Sequence, residues 1–159
     1  MANLKVPKSY DKDHMLIADD EPEHLIWLVD YLKSKGFDVT MATSVSEAME
    51  AIGNIRYRAY IVDLNIPLGG WVPHPAPPSQ TYDNYQGLYI IRAARTQGNA
   101  GARVIAYSAH YNQQIADEIR QLYCEYLVKG RARELKAEID QLLSRDPYAP
   151  ATTPPKNEQ

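Results

Sequence analysis

Short apolar runs alternate along this chain with segments of helical hydrophobic period, and this alternation limits the possible folds more than any other feature. A run that is apolar at every position is typical of a strand buried on both faces of a sheet. Four such runs, at residues 15–18, 60–62, 104–107 and 126–128, predict strands. The third of the five predicted strands extends over 57–63, and residues 37–42 form the remaining one.

The intervening segments have the punctuation of helices. In the first of them, an apolar stripe at i, i+3, i+4 and i+7 lies between Pro22 and Gly36, and proline early with glycine late is normal for a helix. Ser44 and Glu47 have the spacing of a capping box, and Asn112 is expected to cap a later helix. The helices predicted are 22–36, 44–52, 87–97, 112–122 and 131–144.

Strict alternation of strands and helices predicts an α/β fold: a doubly wound five-stranded parallel sheet with helices on both faces. The functional crevice of such a sheet lies at the carboxyl ends of its strands. We expect one domain over 13–144, an N-terminal extension over 1–12 and a disordered proline-rich tail over 145–159. The segment 68–86 does not fit the pattern, since a βα loop usually has about 2–6 residues.

Composition excludes several classes of function. A net charge of -3 leaves no basic surface for nucleic acid, and no apolar run approaches the roughly 18 residues of a membrane span. Cys124 is the only cysteine, which rules out an intramolecular disulfide and favours a cytoplasmic location. The four histidines lack metal-ligand spacing, and Ser108 and His110 are too close in sequence to suggest a hydrolase triad.

Charged and hydroxyl side chains follow four of the five predicted strands. Asp19 and Asp20 follow the first strand, Asp63 ends the third, Ser108 follows the fourth and Lys129 follows the fifth. In a doubly wound sheet these residues converge, and three carboxylates in one crevice repel each other unless a hard cation such as Mg2+ neutralises them. A carboxylate nucleophile beside a metal, a lysine and a hydroxyl predicts phosphoryl transfer.

Four sequence blocks resemble the signature blocks of two-component response-regulator receiver domains, and the match spans residues 15–143. The blocks are Ala18-Asp-Asp-Glu21, Val62-Asp-Leu-Asn-Ile-Pro67, Ala106-Tyr-Ser-Ala109 and Tyr126-Leu-Val-Lys129. The resemblance implies a flavodoxin-like (βα)5 fold with strand order 2-1-3-4-5. It also implies a stand-alone receiver, not a dedicated enzyme, that takes a phosphoryl group from a histidine kinase or phosphotransfer protein and regulates a downstream protein.

The resemblance assigns a role to each residue that matches the family's motifs. Asp63 is expected to be the phosphoacceptor, Asp20 a direct Mg2+ ligand with Asp19 assisting, and the Asn65 backbone carbonyl a further ligand. Lys129 is expected to pair with the phosphoryl group.

Further matches concern the switch and the lifetime of the phosphoryl group. The hydroxyl of Ser108 and the ring of Tyr126 are expected to move on activation, together with the face formed by the fourth helix, the last strand and the last helix. Ala109 is expected to leave access to the site, while Asn65 and His110 tune how fast the aspartyl phosphate hydrolyses.

The chain departs from the family pattern at two places. Gly130 follows Lys129 where the family usually has a proline, often with a cis peptide bond. This predicts a trans bond or a mobile loop, and a less certain place for the lysine. The proline-rich insertion 68–86 lies between the third strand and the third helix, and we expect it to form neither a central strand nor a helix. We interpret it as a lid or docking loop beside Asp63; a tolerated insertion is the alternative. Its candidate contact residues are Trp71, His74, Tyr82 and Tyr85.

Three other functions are alternatives to a phosphorelay receiver. Haloacid-dehalogenase-like phosphatases use a strand-end aspartate and Mg2+, but they expect a second aspartate where this chain has Asn65. A flavodoxin-like nucleotide-binding module expects a glycine-rich loop after the first strand, where this chain has acidic residues. A receiver-fold interaction module that acts independently of phosphorylation stays open as the alternative function.

Overall fold

The computed structural model describes residues 9–74, 76–97 and 103–148. Five parallel strands form one sheet in the order β2-β1-β3-β4-β5, which confirms the predicted doubly wound α/β fold. The strands are β1 (Ser9–Ala18), β2 (Asp38–Ala42), β3 (Ile55–Asp63), β4 (Val104–Ser108) and β5 (Glu125–Val128).

Six α-helices lie within the described residues, one more than the sequence predicts. A 3-10 turn (Pro22–Leu25) leads into the first of them. The prediction that the insertion contains no helix is wrong at its end, because α3 forms one turn there and places the buried side chains of Thr81 and Tyr82 against the core. The helices are α1 (Ile26–Ser34), α2 (Val45–Asn54), α3 (Thr81–Asn84), α4 (Gly87–Thr96), α5 (Gln113–Leu122) and α6 (Ala132–Leu143).

Alternate side chains of the strands enter two separate cores. On β1, Leu16 and Ala18 pack on one face of the sheet, while Met15 and Ile17 pack on the other. Buried residues of α2, α4 and α5 complete the first core, and those of α1 and α6 complete the second. Strands covered on both faces need apolar residues at every position, which is why the runs in the sequence are continuous. Cys124 packs as a buried apolar residue in the first core.

The register of the sheet aligns the ends of its strands. Ala18 pairs with Val62, and Asp63 pairs with Tyr107. Because the strands are parallel, the residues that follow β1, β3, β4 and β5 meet at one edge of the sheet. No helix in the described ranges is long and apolar enough to cross a membrane.

Both ends of the described chain differ from the predicted boundaries. The strand β1 begins at Ser9, which pairs with Ile55, so residues 9–12 of the predicted extension belong to the sheet; residues 1–8 lie outside the description. Of the predicted tail, residues 145–148 pack on the domain, where the Tyr10 hydroxyl donates a 2.9 Å hydrogen bond to the Pro147 carbonyl. Residues 149–159 lie outside the described ranges.

The start of the insertion is bonded to α2. The first two amides of that helix, those of Val45 and Ser46, donate to the carbonyls of Pro67 (2.8 Å) and Leu68 (3.0 Å). The Glu47 amide donates to the Ser44 hydroxyl at 3.1 Å, as the predicted capping box requires. Pro67 and Leu68, at the junction of the β3 loop and the insertion, therefore satisfy two amides that a helix N-terminus leaves without intrahelical partners.

Candidate functional site

Three carboxylates converge at the carboxyl edge of the sheet. Asp19 follows β1, where its amide donates to the Ala42 carbonyl at 2.9 Å, and Asp63 is the last residue of β3. Asp19, Asp20 and Asp63 each offer one oxygen, and these oxygens lie within 4.8 Å of one another. Asp19 is 1% exposed and Asp63 is 3% exposed, whereas Asp20 is open to solvent. The geometry is that of a site able to bind a metal ion.

Lys129 lies against the two buried carboxylates. Its Nζ is 2.7 Å from Asp63 Oδ2 and 3.2 Å from Asp19 Oδ2. The Lys129 amide donates to the Ser108 carbonyl at 2.8 Å, and the Gly130 amide donates to the Tyr107 hydroxyl at 3.3 Å. Gly130 has φ of 92°, a conformation that glycine adopts at little cost. The lysine therefore has a defined place although no proline follows it.

The remaining carboxylate oxygens distinguish a metal site from a simple ion pair. Asp63 Oδ1 accepts the Asn65 amide at 2.9 Å, and Asp19 Oδ1 accepts the Glu21 amide at 2.8 Å. Asp19 Oδ2 is buried beside the ammonium of Lys129 but accepts no aligned hydrogen bond from the described residues. A buried oxygen left in this state is rare and costly, and a hard cation would satisfy it. The residues present therefore fit Mg2+.

Burial and charge act against each other on the ionisable groups of the site. Burial raises the pKa of Asp63 and outweighs the Lys129 and Asn65 hydrogen bonds that lower it. Burial also lowers the pKa of Lys129, but its hydrogen bond to Asp63 and the charges of Asp63 and Asp19 reverse this, so the pKa is raised overall. One ammonium faces two buried carboxylates, and the excess negative charge favours a divalent cation.

Ser108 and Tyr126, the two predicted switch residues, meet at the backbone of His110. Ser108 ends β4 and is completely buried, and its Oγ accepts the His110 amide at 3.1 Å. The Tyr126 hydroxyl donates to the carbonyls of His110 (2.7 Å) and Ser108 (3.2 Å). The Tyr126 ring lies 4.6 Å from the ring of the exposed Tyr111. The structure thus brings the two residues together, and their movement on activation stays a prediction.

The three residues predicted to tune access lie at the solvent side of the same edge. Asn65, Ala109 and His110 are all exposed. Asn65 Nδ2 lies 3.0 Å from His110 Nδ1, which joins the loop after β3 to the loop after β4. The role of the Asn65 carbonyl as a metal ligand stays a prediction.

The four predicted contact residues of the insertion have different surroundings. Trp71 packs on Tyr89 of α4 with ring centroids 4.9 Å apart. Trp71 and the exposed His74 both line an open groove of about 320 Å³ beside that helix. Tyr82 is 1% exposed and belongs to the core. Tyr85 extends toward the site, with its ring 6.4 Å from that of His110. The lid or docking role stays a prediction, and among the four residues only Tyr85 contacts the loop after β4 in the described structure.

Gly87 has a structural role at the site that the sequence did not reveal. A Cβ added there would lie 2.2 Å from the Asp63 carbonyl oxygen and 2.8 Å from the Leu64 Cα. The Gly87 amide also donates to the Leu64 carbonyl at 2.9 Å. The start of α4 therefore packs directly on the backbone that carries Asp63. A glycine at the first position of a predicted helix is the only sequence signal of this contact.

No protein-family model matches the chain, and no curated protein matches it in sequence. Solved structures do match it. A CheY-like response regulator receiver domain protein from Methanospirillum hungatei JF-1 is 17% identical, with a TM-score of 0.63 over 83% of this chain and 94% of that one. A two-component response regulator from Clostridium difficile is 17% identical, with a TM-score of 0.64 over 83% and 96%.

This chain has the response-regulator receiver fold. Another protein with this fold, the response regulator TrrA from Thermotoga maritima, was solved in complex with Mg2+-BeF. It is 22% identical to this chain, with a TM-score of 0.57 over 82% of this chain and 98% of TrrA. At such identities the likeness concerns the fold, so the activity of this receiver fold depends on the side chains at its strand ends.

Proposed function

We propose that this protein is a phosphorelay receiver that accepts a phosphoryl group on Asp63 from a histidine kinase or phosphotransfer protein. The resulting change of conformation regulates a downstream protein. The observation that carries the proposal is the Asp63 carboxylate, which lies 2.7 Å from the Lys129 ammonium and within one oxygen cluster with Asp19 and Asp20. This combination supplies a nucleophile, counter-charge and metal ligands at one strand edge.

The chemistry follows from these groups. A carboxylate oxygen of Asp63 attacks phosphorus, and the bond from phosphorus to the donor's imidazole nitrogen breaks. The nitrogen keeps the electron pair of that bond and takes up a proton from solvent. Lys129 lies where it can bind a phosphoryl oxygen, and the Ser108 hydroxyl, which only accepts a bond from His110, keeps its own proton to donate. Mg2+ bound by Asp19, Asp20, Asp63 and the Asn65 carbonyl would withdraw charge from the phosphoryl oxygens.

Two observations support the metal. The Mg2+-BeF complex of TrrA belongs to a protein of the same fold. In this chain, Asp19 Oδ2 is buried beside the Lys129 ammonium without an aligned hydrogen bond from the described residues, which gives an independent reason for a cation at the same edge. In this proposal the protein acts through other proteins and is not a dedicated enzyme, and its cytoplasmic location stays a prediction.

Phosphorylation by a small donor tests the proposal directly. The full chain is incubated with Mg2+ and acetyl phosphate, and its mobility is followed on a phosphate-affinity gel. We expect a retarded band that chelation of Mg2+ abolishes, because the carboxylate can displace acetate only when the charge at the site is balanced. Asp63→Asn should give no such band, whereas Asp83→Asn, which changes an exposed carboxylate of α3, should behave as the parent.

Two outcomes would contradict the proposal. A retarded band that persists in Asp63→Asn would place the phosphoryl group on another residue. A parent that stays unmodified, and whose tryptophan fluorescence does not respond to Mg2+ and beryllofluoride, would favour an interaction module that works without phosphorylation.

A further inference from the structure

The Asn65 and His110 side chains together bridge the crevice above Asp63. They follow β3 and β4, two neighbouring strands in which Asp63 pairs with Tyr107. Their side chains are exposed and lie 3.0 Å apart, whereas Asp63 beneath them is 3% exposed. A water molecule that approaches Asp63 between these two strand ends would meet this pair of side chains.

Two hydrogen bonds hold the backbone of His110, whereas its ring depends on contacts with neighbouring side chains. Its amide donates to Ser108 Oγ and its carbonyl accepts the Tyr126 hydroxyl. The ring, in contrast, has two described neighbours, the Asn65 amide group and the ring of Tyr85. An exposed ring changes rotamer within nanoseconds unless neighbours restrict it, and the Tyr85 ring, with its centroid 6.4 Å from that of His110, is such a neighbour.

Tyr85 is itself held from several sides. Its amide donates to the Thr81 carbonyl at 2.9 Å, and its carbonyl accepts the Leu88 amide at 3.0 Å. Its hydroxyl accepts a 3.1 Å hydrogen bond from Asn112 Nδ2, while the other side-chain atom of Asn112 caps α5. The ring of Tyr85 is thus a fixed wall beside His110, and it is supplied by the inserted segment.

We propose that Tyr85 is a positioning residue that prolongs the lifetime of the phosphoryl group on Asp63 by holding His110 against Asn65. This inference rests on the proposed function. In the hydrolysis concerned, a water oxygen attacks phosphorus and the bond from phosphorus to the Asp63 oxygen breaks. The electron pair returns to the carboxylate, and inorganic phosphate leaves with the oxygen and one proton of the water. The other proton passes to solvent. Loss of the Tyr85 ring frees His110 and opens the path of this water.

The lifetime of the phosphorylated chain in Mg2+ measures the effect. After removal of acetyl phosphate, the retarded band should decay at least about threefold faster in Tyr85→Ala and in Tyr85→Leu than in the parent. Tyr85→Phe keeps the ring and should retain most of the lifetime of the parent. Val72→Ala changes a residue of the same segment that is 74% exposed, and it should leave the lifetime unchanged.

A double-mutant cycle tests the route through His110. If Tyr85 acts by holding that ring, Tyr85→Ala should have no further effect on the lifetime in a His110→Ala background. An equal effect of Tyr85→Ala in both backgrounds would overturn the proposal, and so would a lifetime that is unchanged or longer in Tyr85→Ala. Thermal unfolding of each variant shows whether the chain is folded. If Tyr85→Ala is not folded, Tyr85→Leu, which fills more of the space, replaces it in the cycle.

A measurement without phosphate separates this inference from the proposed function. The ring current of Tyr85 should shift the proton resonances of the His110 ring, and these resonances should move in Tyr85→Ala but not in Val72→Ala. Unmoved resonances would overturn the contact on which the inference depends. A parent that takes up no phosphoryl group would overturn both proposals, whereas a phosphorylated parent whose lifetime ignores Tyr85 would overturn this one alone.

Discussion

At the scale of single residues, Lys129 balances only part of the charge around it. Its ammonium lies between Asp63 and Asp19, which are both nearly inaccessible to solvent. Removal of one partner from a buried ion pair is expensive, because the other charge stays desolvated. Lys129 therefore stabilises the acidic edge in the absence of a metal, and in the proposed function it would bind a phosphoryl oxygen.

Gly87 is the residue where space is tightest beside Asp63. Gly87→Ala should lower the free energy of unfolding by about 1–3 kcal/mol, because the added Cβ meets backbone atoms that cannot move as a side chain can. The helical preference for alanine offsets at most about 1 kcal/mol of this. Chemical denaturation with tryptophan fluorescence measures the difference.

Gly53→Ala provides the matched control for that substitution. Gly53 lies in α2, and a Cβ added there meets no atom within 4 Å. Alanine should raise the free energy of unfolding by about 0.5–1 kcal/mol at such a position. If both glycine substitutions changed stability in the same direction, the steric explanation for Gly87 would be wrong.

At the scale of elements, α1 and α6 are joined by a charge-assisted hydrogen bond on the face opposite the insertion. The Tyr31 hydroxyl donates to Asp140 Oδ1. This bond lowers the pKa of Asp140, and burial opposes it while the nearby Lys136 assists. A carboxyl whose pKa is lower in the folded chain contributes stability above its unfolded pKa, and the contribution disappears as the pH falls through the folded pKa.

Tyr31→Phe should therefore destabilise the protein in a pH-dependent manner. At neutral pH we expect the free energy of unfolding to fall by about 0.5–1 kcal/mol, a small value because the Asp140 side chain is 40% exposed and solvent screens the interaction. Below the ordinary range of carboxyl pKa values the difference between parent and variant should decrease. Urea denaturation at several pH values measures it, and a difference that grew on acidification would contradict the assignment.

The N-terminus of α2 illustrates how one element depends on another. Ser44 accepts the amide of Glu47, but the Glu47 carboxylate accepts the Thr43 amide at 2.7 Å in place of the Ser44 amide that the capping-box pattern predicts. The amides of Val45 and Ser46 donate to the carbonyls of Pro67, just before the insertion, and of Leu68, its first residue. A capping motif in the sequence therefore accounted for only part of the bonds that begin this helix.

At the scale of the whole molecule, the insertion is part of the packed domain. Tyr82 is almost completely buried and lies 5.0 Å from the ring of Tyr89, while Trp71 packs on the same ring. The Ser79 hydroxyl also donates to Glu118 of α5 at 2.8 Å. Removal of the segment 68–86 would therefore change stability as well as any role at Asp63, and single substitutions separate the two effects better.

Tyr82→Ala should lower the free energy of unfolding by about 3–5 kcal/mol, the usual cost of removing a large buried aromatic side chain. Val72→Ala, at an exposed position of the same segment, should change it by less than about 0.5 kcal/mol. Equilibrium denaturation of both variants measures this contrast. Similar stabilities for the two variants would show that the insertion is a tolerated surface loop.

The sequence by itself determined the sheet, five of the six helices in the described residues, and the convergence of Asp19, Asp63, Ser108 and Lys129. It could do so because local patterns specify them: continuous apolar runs require burial on both faces, and parallel strands bring their carboxyl ends to one edge. The order and spacing of the motif blocks also predicted Asp63 as the phosphoacceptor, and this role stays a prediction.

Only the tertiary structure decided where the inserted segment lies and which of its residues contact the site. The burial of Tyr82, the contact of Tyr85 with His110 and the close approach of Gly87 to Asp63 join residues that no local period connects. Proline and aromatic residues in a long loop are compatible with many arrangements. Packing against α2, α4 and α5 selected one of them.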